Sequence, residues 1–106
     1  MIDNKIYGLL GLARRAGKIS FGTESAKDTI EKHKAKLVIV AKDCSDRTKK
    51  NFELACKNDD IPVRVFGTIE DLSKSIGQNN KAVIVIKDEN FAKELLKKID
   101  GGEIIG

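Results

Sequence analysis

Two unbroken aliphatic runs, Leu37 to Ala41 and Ala82 to Ile86, constrain this chain more than anything else in it. Neither alternates with polar residues, so a strand built from either has to be covered on both faces. At five residues each they fall far short of the roughly 20 that cross a bilayer. The segments around them carry apolar residues at helical spacing. Ile6, Leu9, Leu10 and Ala13 predict a helix over 4–16, with Asp3 or Asn4 as its cap and Gly17 as its stop. Lys18 to Phe21 reads as a short extended segment. Gly22-Thr23 then forms a turn in which Thr23 caps a second helix running to about His33, with Ala26 and Ile30 turned to the core.

Beyond the first run, Asp43 or Ser45 is placed to cap a third helix whose inner face is Thr48, Phe52, Ala55 and Cys56. Ile61 to Phe66 predicts another strand, and Pro62 suits a strand beginning or an edge. Thr68, with Asp71 three residues on, opens a short helix carrying Ile69, Leu72 and Ile76 inward and stopped by Gly77. Asp88 caps a last helix with Phe91, Ala92, Leu95, Leu96 and Ile99 on one side, ending at Gly101-Gly102. Strands and helices alternate throughout, and helical crossovers between short buried strands imply an α/β fold, a three-layer α/β/α sandwich. A single domain over residues 1–106 is expected, long enough to bury roughly 65% of its unfolded surface.

Charge points to an anionic partner. Twenty Lys and Arg against sixteen Asp and Glu give a formal charge of +4. The surplus is uneven: residues 1–53 hold twelve basic and seven acidic side chains, residues 54–106 eight and nine. A basic binding surface is therefore expected in the N-terminal half. The N-terminus shows no signal-peptide core, because Gly, Arg and Lys interrupt it, so a cytoplasmic location and no membrane association are expected. Cys44 and Cys56 form no CxxC pair and have only His33 as a possible nitrogen neighbour, so they read as structural thiols, with no metal and no cofactor.

The densest chemical feature is Leu12-Ala13-Arg14-Arg15-Ala16-Gly17-Lys18, which closes the first helix with three cations. Cations there offset the negative end of the helix dipole. Paired guanidinium groups beside small residues also offer bidentate donors to phosphate, and both readings stand. A nucleotide-binding P-loop is excluded, since five residues separate Gly11 from Gly17 and Ile19 follows Lys18. Gly22-Thr23-Glu24-Ser25 either binds a phosphate on helix N–H groups or is an ordinary capped turn. Phe52, Phe66 and Phe91 fall at core positions, which leaves no base-stacking platform. His33 has no nucleophile partner and no carboxylate pair stands out, so no enzymatic activity and no small-molecule substrate are expected.

In their order these motifs resemble the L7Ae/L30e/Gadd-type ribosomal-protein superfamily, and within it the YlxQ-like bacterial branch. The resemblance rests on Leu9 to Lys18 and Gly22, on Lys34 to Ser45 followed by Thr48-Lys49-Lys50, and on Ile61-Pro62-Val63, Phe66-Gly67 and Ser75-Ile76-Gly77. It covers about residues 5–99. It implies a mixed four-stranded sheet and a cytoplasmic ribonucleoprotein component that binds structured RNA, with ribosomal RNA among the candidates. In the kink-turn binders of this superfamily, RNA meets the start of the second helix and the loop before the last strand. By position that surface comprises Gly22, Thr23, Glu24, Ser25, Lys27 and Asp28, with Ser45 and Lys49 nearby, and Gln78, Asn79 and Asn80 in the loop. Arg14, Arg15 and Lys18 would add phosphate contacts, the paired arginines being a feature of the YlxQ-like branch. Kink-turn binders carry Asn, Glu and Lys where Glu24, Ser25 and Asp28 stand, and apolar loop residues where Gln78-Asn79-Asn80 stand. A weak preference for kink-turns follows.

Overall fold

The computed structural model describes residues 2–101. In chain order the elements are α1 (Ile2–Arg15), β1 (Ile19–Phe21), α2 (Thr23–Glu31), β2 (Leu37–Val40), α3 (Asp46–Lys57), β3 (Val63–Val65), α4 (Ile69–Ser75), β4 (Val83–Ile86) and α5 (Glu89–Gly101). The four strands form one sheet in the order β1-β4-β2-β3. β4 runs antiparallel to both β1 and β2, while β2 and β3 are parallel, so the sheet is mixed.

The two aliphatic runs supply the central strands, and all eight residues of β2 and β4 are buried. Their side chains divide by the period of two. Leu37, Ile39, Ile84 and Ile86 join Ile6, Leu10 and Ala13 of α1, Leu72 of α4, and Ala92 and Leu95 of α5 in one core. Val38, Val40, Val83 and Val85 join Ala26 and Ile30 of α2 and Phe52 and Cys56 of α3 in the other. Three helices therefore cover one face and two the other, which is the expected α/β/α sandwich. Each fully buried Leu, Ile, Val or Phe contributes about 1.5–3 kcal/mol, so both layers are needed. Among the described residues, no helix is long and apolar enough to cross a membrane.

Several local expectations are corrected. α1 begins at Ile2, so Asp3 and Asn4 lie within its first turn and not before it. Ala55 is exposed because α3 presents only the narrow stripe Phe52 and Cys56 to the sheet, with Thr48 half-buried. Ser45, not Asp43, caps α3 by accepting from the Thr48 N–H. Asp43 acts across the chain, accepting from the Ile69 N–H at the start of α4 at 2.8 Å. The strand expected over 61–66 shortens to Val63–Val65 at the sheet edge, with Val65 exposed. Asp88 accepts from the Phe91 N–H as expected. Gly102, expected to help end α5, lies outside the described residues.

Candidate nucleic-acid interface

The end of α1 closes on Gly17, whose φ of +71° is a left-handed conformation that other residues adopt only with strain. Its N–H donates to Arg14 O at 3.0 Å and the Lys18 N–H donates to Ala13 O at 2.9 Å, the paired bonds of a Schellman closure. Arg14 and Arg15 thus sit in the last turn and are exposed. α4 ends the same way: Gly77 has φ +70°, its N–H donates to Lys74 O, and the Gln78 N–H donates to Ser73 O.

β1 is three residues long, and its pairing with β4 decides which groups meet. Phe21 stands opposite Ile84, and the Gly22 N–H donates to Val83 O at 3.0 Å. At the other end of β1, the Lys87 N–H donates to Lys18 O at 2.8 Å. The three residues of β1, four steps of extended chain or about 13 Å, therefore part Lys18 from Gly22. Lys18 is not gathered with the start of α2; it lies beside Lys87.

Gly22, with φ 88° and ψ 155°, is the N-cap of α2. Thr23 was expected to cap but is instead the first helical residue, and no side chain caps this helix. The reason is geometric: only glycine takes this backbone readily, and it leaves the first turn with no hydroxyl behind it. Thr23, Glu24, Ser25 and Lys27 are exposed. Asp28 pairs with Lys32 at 3.1 Å, so its charge is partly offset. Thr29, buried one turn on, donates to Ser25 O and accepts from Ser20, tying α2 to β1.

The loop before β4 is held firmly. Ser73, 2% exposed, accepts from the Lys81 N–H at 2.7 Å and donates to Lys81 O at 3.2 Å. Between this anchor and the end of α4 stand Gln78, Asn79 and Asn80, the last with φ 54°. They line a cleft of about 600 Å³ with Asp43, Glu70 and Lys74. From its anchor the Lys81 side chain extends over β1: its Nζ lies 5.8 Å from the Phe21 ring centroid, and a Cβ on Gly22 would meet its Cδ at 3.9 Å. The Arg14 guanidinium lies 5.3 Å from the same ring.

The end of α1, the start of α2 and the 78–80 loop thus converge on Phe21 and Lys81, two residues absent from the sequence-based set. Lys49 is placed differently: its ammonium donates to Lys42 O at 2.8 Å and lies 3.8 Å from Asp46, so it braces the β2–α3 loop. Neither cysteine is disposed to react, since burial pushes the Cys44 thiol up and the Cys56 thiol up to about 11.

Residues 4–96 match the family model of the ribosomal protein L7Ae/L30e/S12e/Gadd45 family. The chain is 36% identical over 97 residues to RNA-binding protein YlxQ of Enterococcus faecium, covering 92% of this chain and 93% of that one. It is 32% identical over 94 residues to RNA-binding protein YlxQ of Bacillus subtilis (strain 168), covering 89% and 94%. A solved structure of a protein of unknown function from Bacillus halodurans C superposes with a TM-score of 0.87 at 35% identity, covering 91% of this chain and 97% of that one. With its sheet order, its two helical layers and nearly its whole length matched, the chain belongs to the ribosomal protein L7Ae/L30e/S12e/Gadd45 family.

Proposed function

We propose that this chain is a non-catalytic RNA-binding protein, associated with the ribosome or with translation, that contacts structured RNA through the end of α1, the first turn of α2 and the 78–80 loop. The observation that carries this reading is the convergence of those three segments on one end of the β1–β4 pair, with Arg14 and Lys81 both drawn to Phe21. Exposed guanidinium groups and a helix start without a side-chain cap suit phosphate oxygens, and side-chain amides suit base edges. That the YlxQ proteins of Enterococcus faecium and Bacillus subtilis are named RNA-binding proteins supports RNA as the ligand. Arg15 adds a further cation on the last turn of α1, and Lys18 with Lys87 extends the basic surface to the far end of β1.

The test is a salt titration of binding to a structured ribosomal RNA fragment. Four phosphate contacts, from Arg14, Arg15, Lys18 and Lys81, predict a log–log slope of about −3. Affinity that is unchanged between low and moderate salt, or no binding at low salt, overturns the proposal, and capture of a protein in place of RNA would assign the surface to protein recognition.

A further inference from the structure

We propose that Phe21 is a positioning residue: its ring holds Arg14 and Lys81 together as one binding pair for the phosphodiester backbone. The inference rests on the RNA reading above and names the groups that act within it. Two like charges on long side chains repel and drift apart in water unless something retains them. The face of an aromatic ring attracts a cation within about 6 Å of its centroid, and both groups meet that distance, at 5.3 Å and 5.8 Å. Their ring distances limit their separation to about 11 Å, close to the Debye length of about 10 Å at 0.1 M salt, so one phosphate group feels both.

Each element of the arrangement is anchored from behind. The ring packs on the core under α1 and is half-buried. Arg14 is set by the Gly17 closure, and the backbone of Lys81 by both hydrogen bonds to Ser73. The Lys81 stem runs beside the start of α2, close enough that a Cβ on Gly22 would touch its Cδ in ordinary contact at 3.9 Å. Among the described residues neither Arg14 nor Lys81 is paired with a carboxylate, so both charges remain available.

Phe21→Leu keeps apolar bulk on the core while removing the ring face, and Phe21→Tyr restores the face. The leucine variant is expected to bind a structured RNA about fivefold more weakly with a shallower salt slope, and the tyrosine variant within about twofold of the original. In an Arg14→Gln/Lys81→Gln background, Phe21→Leu is expected to change affinity by less than about 1.5-fold, because the ring then has nothing to hold. In the free protein, the upfield ring-current shifts of the Arg14 and Lys81 side-chain methylenes should vanish in Phe21→Leu and persist in Phe21→Tyr. An equal loss in the double-glutamine background means the ring contacts RNA directly and overturns the inference, as does unchanged affinity of Phe21→Leu. Absence of RNA binding by the unmodified chain, with the ring-current shifts intact, overturns the RNA reading itself.

Discussion

Ser73 and Lys81 satisfy each other twice: one buried hydroxyl accepts the Lys81 N–H and donates to its carbonyl, closing the segment between α4 and β4 like a rung. Ser73→Ala leaves both backbone groups without that partner, a loss of about 1–3 kcal/mol. Urea denaturation should show the drop in midpoint. Hydrogen exchange should quicken at Asn79 to Lys81 well before it quickens in β2. Unchanged exchange there would show that the loop is held by its other bonds alone.

Arg14 and Arg15 occupy a helix end where the dipole alone favours cations, each by about 0.3–1 kcal/mol. Arg14→Glu with Arg15→Glu is expected to weaken RNA binding at least about 100-fold, roughly 2.7 kcal/mol, while the thermal midpoint falls by only a few degrees. Normal binding by the double variant would leave the dipole as their sole role.

At the opposite edge, Arg64 of β3 donates through Nε and Nη2 to the two carboxylate oxygens of Asp100 on α5, at 2.7 and 2.8 Å. This hydrogen bonding holds the Asp100 carboxyl below its ordinary range and raises Arg64 further. Because the folded-state value is lowered, the stabilisation is complete above the unfolded carboxylate pKa of about 3.9 and is lost as pH falls through the folded value. Both side chains are more than a third exposed, so the pair contributes no more than about 1 kcal/mol. Asp100→Asn should therefore lower the urea midpoint at pH 7 and lower it less at pH 2. An equal difference at both values would rule out the ion pair as its origin.

Specificity within α2 is open to redesign. Glu24→Asn, Ser25→Glu and Asp28→Lys together introduce the side chains that kink-turn binders carry at these positions. They should raise the preference for a kink-turn over a straight duplex at least about tenfold, or about 1.4 kcal/mol. Asp28→Lys also breaks the pair with Lys32, so stability should fall by a few tenths of a kcal/mol. Competition titrations with the two RNAs decide the matter, and an unchanged ratio would show that this backbone does not present the three side chains as kink-turn binders do.

The elements that were legible in the sequence are those whose cause is local. The buried character of β2 and β4 follows from five-residue aliphatic runs, and the stops at Gly17 and Gly77 from glycine after a periodic stretch. What escaped was set by distant partners. Asp43 looked like a cap for its own helix but bonds to Ile69, 26 positions away. Ala55 had the right spacing to be buried, yet α3 lies toward the sheet edge and shields only a narrow stripe. Lys81 and Phe21 come together only because β1 pairs with β4 in one register, and nothing in either segment alone announces that pairing.

That register also governs how this region can change over time. Within β1, Ser20 reaches Thr29 on α2, while its neighbours Ile19 and Phe21 turn to the opposite layer. Adding or deleting one residue there would exchange the two faces, sending the aromatic ring toward α2 and a hydroxyl into the aliphatic core. Substitutions can retune the proposed binding surface one side chain at a time, but the length of this strand can vary only in steps of two. Descendants of this chain should differ here in the identity of their residues and agree in the parity of their number.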